Sequence, residues 1–487
     1  MSRSPFLKVA LTGAASVALL SACASVPDLG PAPTAKLASS YAARDSFAAP
    51  AADWPQDAWW TAYGDPQLSA LIDEALKGAP AMAAAEARLR KAGALAQQAG
   101  AVLKPELKAT GSAGAVAIAP PEMLGGGGPT EVQSNGYVLL QGGYDFDLWG
   151  RNRTALAAAT SEAEAARADV AQARLVLSSS VAAAYADLVK LYADLDAANE
   201  ALEVRRKTLE LMSQRFDNGL ENRGAVRQAE TGKAQAEAEL AALQEAVGLN
   251  RNRIAALVGA GPDRGLQIQR PTATTARAFG LPQQLQAELL GRRPDVIAAR
   301  LRAEAAVSRT QSAKAAFYPN VNLSLLGAGA VLDLSDISGS ALALGSIGPA
   351  ISLPIFEGGR LEAQYRGARA DHAGAIAEYD RTVVQAFQEV ADVAVSERAL
   401  SQRLDASRRA HAAAEAAHAI ALDRYQGGLS SYLDVLRAED QLIATRRSVA
   451  DLETRAFALD VALVRALGGG FTPASPERGA SSQRGNA

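Results

Sequence analysis

The 487-residue chain balances 49 Lys and Arg against 52 Asp and Glu, a net charge of −3 that offers no basic surface for nucleic acid. Aromatic residues make up 5% of it and cysteine occurs once, which excludes a disulfide framework. Abundant alanine fits long helices packed closely through small side chains better than a thick globular core.

Arg3 and Lys8 precede an apolar run from Val9 to Leu20, followed by Leu20-Ser21-Ala22-Cys23. A charged start and a short apolar stretch make a secretory signal over 1–22, too short to span a bilayer. Small residues just before the lone cysteine resemble the bacterial lipobox, which makes Cys23 the candidate lipidation site; the alternative is an ordinary signal with a chance cysteine. Ala24 and Ser25 stand where an aspartate would retain such a lipoprotein at the inner membrane, so the anchor points to the outer membrane. Residues 23–52, rich in Ala, Pro and Ser, read as an extended or disordered leader.

A first structural repeat covers 53–261. Three of the four tryptophans lie between Trp54 and Trp60, and Asp65-Pro66 starts a helix with Leu68, Leu71, Ile72 and Leu76 on one face. Such dense aromatics either lock a segment onto a scaffold or form an interfacial membrane belt; the interleaved acidic residues favour the scaffold. Pro80 opens an alanine-rich helix that Pro105 stops. Two alternating runs then make a β-hairpin over 105–149, apolar through Leu107, Ala109 and Gly111 and again through Val138, Leu140, Tyr144, Phe146 and Leu148. A loop containing Pro120, Pro121 and Gly125 to Gly128 joins them. Strands of about twelve residues suit a tilted membrane strand, with a soluble sandwich as the alternative.

After Gly150 the period changes to seven. Val181, Leu188, Leu195, Leu202, Leu209 and Phe216 form one seam position, with Ala184, Leu191, Ala198 and Met212 beside them. Arg151 to Phe216 lacks proline and glycine, a helix of roughly 100 Å. The return helix past Gly219 keeps the heptads in Val226, Leu240, Val247 and Ile254 but is only about half as long. The helix from Pro80 is expected to make up the difference by stacking end to end with it. The long helical hairpin thus spans 151–259.

A connector at 262–282 leads to a second repeat, 283–467. There ELLGRRP at Glu288–Pro294 repeats EALKGAP at Glu74–Pro80. A β-hairpin at 319–356 and a helical hairpin at 360–467 follow, and the tail 468–487 reads as disordered. The sharpest sign of duplication is the helical turn: RFDNGLENRGAVRQAE from Arg215 to Glu230 matches RYQGGLSSYLDVLRAE from Arg424 to Glu439.

Four lipid-length strands cannot close a barrel, and open strand edges are not tolerated in hydrocarbon. The chain must therefore oligomerise; three copies supply twelve strands over a hollow helical cylinder. This order of signals resembles the TolC/OprM-like outer-membrane factors, and the lipobox with WW-x-x-Y-G-D-P resembles their lipoprotein efflux branch. The resemblance runs from Cys23 to Leu467. Its most specific parts are the Leu353-Pro354-Ile355-Phe356-Glu357-Gly358-Gly359-Arg360 strand exit and the Tyr425 to Leu436 turn. It implies an α+β membrane protein with an internal duplication: a homotrimer with a twelve-stranded outer-membrane β-barrel, four strands per chain, continued by a periplasmic α-helical coiled-coil barrel. It also implies a periplasmic adaptor and an inner-membrane pump, commonly proton-driven, that together expel drugs or other small toxic compounds. A protein-secretion duct is the runner-up, and a periplasmic adaptor or structural coiled-coil lipoprotein a third reading.

Carried over residue by residue, the resemblance makes Gly219, Leu220, Gly428 and Leu429 the adaptor-docking turns and Tyr425 and Asp434 an aromatic and an acidic gate position. For Asp434 the alternative is a carboxylate favoured by the start of its helix; for the two leucines it is a hydrophobic contact that closes the cap. His411 and His418, seven apart, read as packing residues rather than a metal pair, since no third ligand lies near them in sequence. No nucleophile constellation, phosphate loop or CxxC occurs, so no enzymatic site and no cofactor is expected.

Overall fold

The computed structural model describes residues 26–118, 131–272, 279–331 and 341–472. The signal segment, Cys23, both strand-connecting loops and the tail from 473 lie outside the described residues. The chain divides into two compact units. One holds the sheet: β1 (Glu106–Ile118), β2 (Glu131–Asp145), β3 (Asn320–Val331) and β4 (Ala341–Ser352). The other holds the hairpin tips and the main hydrophobic core.

The helices are α1 (Pro66–Gly78), α2 (Pro80–Ala101), α3 (Arg151–Asp217), α4 (Arg223–Leu257), α5 (Leu285–Arg292), α6 (Pro294–Ala315), α7 (Arg360–Gln426) and α8 (Tyr432–Ala466). The duplication shows in their lengths. Helices α2 and α6 are both 22 residues, α3 and α7 both 67, and α4 and α8 both 35. Gly367 and Gly374 do not interrupt α7. Over one stretch α3 is long and apolar enough to cross a membrane by length and composition, but more than half of that stretch is buried, with Val181, Tyr185 and Leu188 in the core. Two helical hairpins and four strands leave no place for the single-hairpin adaptor reading.

The sheet is antiparallel in the order β1-β2-β3-β4, so β2–β3 pairing joins the two repeats. Its register aligns the apolar stripe of every strand: Ala109 faces Leu140, Gly142 faces Leu325, and Leu325 faces Ile347. Partners in an antiparallel pair project to the same face. Leu107, Val138, Leu140, Ile347 and Ile351 are exposed there, an uncovered apolar surface. Gly142 sits between Leu107 and Leu325, where a Cβ would come within 3.3 Å of both side chains. At 12 to 15 residues the strands run about 40 Å or more, enough to cross hydrocarbon at a tilt.

The strand exit into α3 is built by Asp147, which holds a left-handed backbone with φ 46° and is 7% exposed. Its carboxylate accepts from the Asn152 and Arg153 backbone N–H groups at 2.9 and 2.8 Å and from Arg153 Nε at 3.1 Å. These contacts satisfy the free donors at the start of the helix.

In the other unit the tryptophan segment belongs to the scaffold, not to a membrane belt. Trp59, Trp60 and Tyr63 are each 4% exposed, and the Tyr63 ring lies 4.5 Å from that of Phe457 on α8. Asp65 is the hub. It caps α1 by accepting from Gln67 and Leu68 N–H groups and also accepts the Tyr185 hydroxyl at 2.6 Å and the Thr272 N–H at 2.9 Å. Burial alone would raise this carboxyl, but those four donors outweigh it and hold it below its ordinary value. The leader is ordered where described: Gln286 Nε2 donates to Ala38 O and Tyr41 O, Tyr41 and Phe47 meet Phe387 edge-on, and Ala51 bridges Leu281.

Each return helix ends on a glycine that abuts the start of a 22-residue helix. At Gly259, φ 81°, a Cβ would lie 3.0 Å from Gly78 O and Ala79 Cα, just before α2. At Gly468, φ 91°, it would lie 2.2 Å from Arg292 O, just before α6. Gly468 to Gly470 therefore pack closely, which corrects the expectation of disorder from 468. Arg293 closes the second joint, buried and bound to Asp295 and Glu389, each at 2.6 Å, and to Ala466 O at 3.1 Å. Gly468→Ala combines a backbone overlap with a left-handed conformation that costs a non-glycine residue about 1–3 kcal/mol. It should lower the thermal midpoint, followed by helical circular dichroism, by more than Gly259→Ala does; equal midpoints would show that the joint yields.

Candidate functional site: the paired hairpin tips

Both tips use the same main-chain solution. In the first, Leu220 N–H donates to Arg215 O at 2.8 Å and Gly219 N–H to Phe216 O at 2.9 Å, with Gly219 at φ 72°. In the second, Leu429 N–H donates to Arg424 O at 2.7 Å and Gly428 N–H to Tyr425 O at 3.0 Å, with Gly428 at φ 74°. These are Schellman closures, and the left-handed residue in each is the shared glycine. The leucines do not close the caps by burial: Leu220 is 64% and Leu429 72% exposed.

The restarts differ. Asn222 caps α4, its Oδ1 accepting the Ala225 N–H at 3.1 Å. At α8 the Asp434 carboxylate accepts the Ser431 N–H at 3.1 Å and the Ser431 hydroxyl at 2.8 Å, and these two donors lower its pKa. Asp434 is thus an exposed carboxylate already engaged at a helix start.

Tyr425 is 3% exposed and packs with Met212, Ala225, Ala229, Tyr432 and Val435. Its hydroxyl donates to Glu221 Oε2 at 2.6 Å, linking the second hairpin to the first across 204 residues of sequence. The Arg215 guanidinium lies 4.6 Å over the Tyr425 ring, and its Nη1 donates to Gln426 O at 3.4 Å. The Tyr425 hydroxyl holds the Glu221 carboxyl below its usual value, helped by the Asn222 N–H and the Arg215 charge. Burial, with Glu221 as acceptor, pushes the Tyr425 hydroxyl up to about 12. The Tyr432 hydroxyl is buried with no hydrogen-bond partner among the described residues, and burial with the nearby Glu439 charge pushes it up to about 12.

The tip fold therefore brings Tyr425 to Glu221, while Asp434 bonds within its own turn. Sequence reading missed Glu221, Arg215 and Met212 as partners of Tyr425. It also passed over Glu439 as a mere shared position of the duplicated turn. Glu439 is fully buried beside Arg205, whereas its counterpart Glu230 is half-exposed and pairs with Arg227 at 2.6 Å. His411 is half-buried with Nδ1 3.4 Å from the Thr445 hydroxyl, and no metal-disposed group of three His, Cys, Asp or Glu occurs among the described residues. Cys23 lies outside the described residues.

The family model for outer membrane efflux proteins matches residues 71–260 and 285–469, one stretch per repeat. The chain is 36% identical over 381 residues to the fusaric acid resistance protein FusA of Burkholderia cepacia, covering 76% of this chain and 71% of that one. It is 31% identical over 475 residues to the multidrug resistance outer membrane protein MdtP of Escherichia coli K12, covering 94% and 95%. The crystal structure of the outer membrane protein VceC from Vibrio cholerae matches with a TM-score of 0.79 at 45% identity, over 86% of this chain and 100% of that one. Both repeats match, and the chain belongs to the outer membrane efflux protein family.

Proposed function

We propose that this protein is the passive outer-membrane exit duct of a tripartite efflux system. The reading rests on one observation: membrane-length strands with a bare apolar face and unpaired outer edges, on a chain whose helical hairpins end in exposed leucines. Three copies close a twelve-stranded barrel, lipid anchored through Cys23, with the helices forming the periplasmic conduit. Gly219, Leu220, Gly428 and Leu429 dock a periplasmic adaptor, which connects the duct to an inner-membrane, proton-driven pump. Relatives named for fusaric acid and multidrug resistance support small toxic compounds as cargo.

At the mouth, Tyr425 acts as a latch through Glu221, and Asp434 places an exposed carboxylate at the second tip. A hydrogen bond to a charged group contributes about 1.5–3 kcal/mol, less here because Glu221 is partly solvated. Tyr425→Phe should raise the ion conductance of purified trimers in planar bilayers several-fold; wild-type conductance would remove Tyr425 from the gate. Asp434→Ala should also leak, though less.

The latch has a defined pH window. Glu221 has a lowered folded pKa, so its contribution is present above the ordinary carboxylate value and is lost as pH falls through the lowered one. Tyr425 has a raised folded pKa, so its contribution is present below the ordinary tyrosine value and is lost as pH rises through about 12. Closed-state conductance should stay flat between roughly pH 5 and 9 and rise only on acidification past the ordinary carboxylate range, and the rise should be absent from Tyr425→Phe. For the anchor, alkynyl-palmitate fed to cells should label the protein and Cys23→Ser should abolish the label; a labelled Cys23→Ser protein would place the acyl chain elsewhere.

A further inference from the structure

Above the tips, the two hairpins of one protomer are tied by a series of ion pairs along α8. Arg205 of α3 meets Glu439 at 3.0 Å and also contacts Asp440. Farther up, Arg446 pairs with Glu200 of α3, Arg447 with Glu239 of α4 at 2.5 Å, and Asp451 with Lys190 of α3 at 2.9 Å. Their positions fall on α3 as they rise on α8, as two antiparallel helices require.

These ties are not equal. The Glu439 side chain is 0% exposed and that of Arg205 13%, while Glu200, Arg446, Glu239 and Arg447 are 38–53% exposed. Thr208 on α3 adds a hydroxyl donor to Glu439 Oε2 at 2.9 Å. The arm of Arg205 passes Gly232 of α4, where a Cβ would stand in ordinary van der Waals contact with Arg205 Cδ at 3.4 Å. Three helices, α3, α4 and α8, thus meet at one desolvated charge pair. Separating such a pair leaves a charge buried without its partner, which costs far more than opening a solvated surface pair. Below this level the hairpins touch through the apolar Met212, Tyr425, Tyr432 and Val435 cluster and the Tyr425–Glu221 bond.

We propose that the buried Arg205–Glu439 pair, seated over Gly232, is the fulcrum of the gate: the tips beyond it part when the duct opens, while α3 and α8 above it stay joined. This inference rests on the gate reading of Tyr425. Glu439 and Arg205 are positioning residues. They touch no cargo, and they fix where the mobile part of each hairpin begins.

The test uses the full-length trimer in planar bilayers carrying Tyr425→Phe, with paired cysteines bridged by a short bifunctional methanethiosulfonate and released by reduction. A bridge below the fulcrum, Glu221→Cys with Gln426→Cys, should return the raised conductance to the wild-type closed level. A bridge above it, Glu200→Cys with Arg446→Cys, should change conductance less than twofold. Adding Glu439→Gln should move the boundary upward, so that conductance increases further and the upper bridge, silent before, now reverses that increase on a reducible footing. If the upper bridge closes the channel as fully as the lower one while Glu439 is intact, the hairpins slide as whole rods and the fulcrum is overturned. If Tyr425→Phe does not leak, or the lower bridge leaves it leaking, the gate reading itself falls. A Glu439→Gln trimer that melts earlier but conducts like its parent would reduce the pair to a structural brace and overturn the proposal as well.

Discussion

The backbone of the outer strands constrains everything else. Among the described residues of one chain β1 and β4 each pair on one side only, and an unpaired N–H or C=O in hydrocarbon costs several kcal/mol. The same strands bare an apolar face that water disfavours. Neither solvent accepts the sheet alone, so its edges must meet the edges of other copies. The β2–β3 pairing carries the constraint inward, because it makes one sheet of two repeats and lets a duplicated chain present two compatible outer edges.

Helix length sets a second demand. A 67-residue helix opposite a 35-residue return leaves roughly 50 Å without a partner. The chain solves this twice by ending the return helix against the start of a 22-residue helix, and both joints need a left-handed glycine because the two chain segments touch through backbone. The joints then diverge. At Gly259 a Cβ would press on backbone at 3.0 Å, whereas at Gly468 it would overlap Arg292 O at 2.2 Å, and a buried arginine with two carboxylate partners reinforces that joint.

Regular features were legible in the sequence. The heptads place the first long helix at Arg151 to Phe216, and it runs Arg151–Asp217. Alternation marks the apolar stripe that the register later aligns across all the strands. Periodicity reports a face, though, and not which residue on another element will meet it. Asp65 reads as a helix cap, which it is, yet its bonds to Tyr185 and Thr272 depend on segments more than a hundred residues away. Asp147 lies between Phe146 and Leu148 of the alternating run, where nothing in the sequence marks it, yet its left-handed backbone turns it into the cap of α3. The Tyr425–Glu221 link was invisible for the same reason: each side chain looks ordinary in its own turn.

That link also explains why two copies of one turn need not be equivalent. The shared residues, Gly219 with Gly428 and Leu220 with Leu429, serve what each turn requires by itself, a left-handed closure and an exposed apolar tip. Contact between the copies uses residues that the copies do not share, since Tyr425 stands where the first turn has Phe216 and Glu221 where the second has Ser430. Here one copy supplies the acceptor, Glu221, and the other the buried donor, Tyr425. The shared glutamate diverges in the same way, solvated beside Arg227 at Glu230 and desolvated beside Arg205 at Glu439. Complementarity between the hairpins is therefore carried both by positions where the repeats differ, Tyr425 and Glu221, and by shared positions whose surroundings differ, as at Glu439.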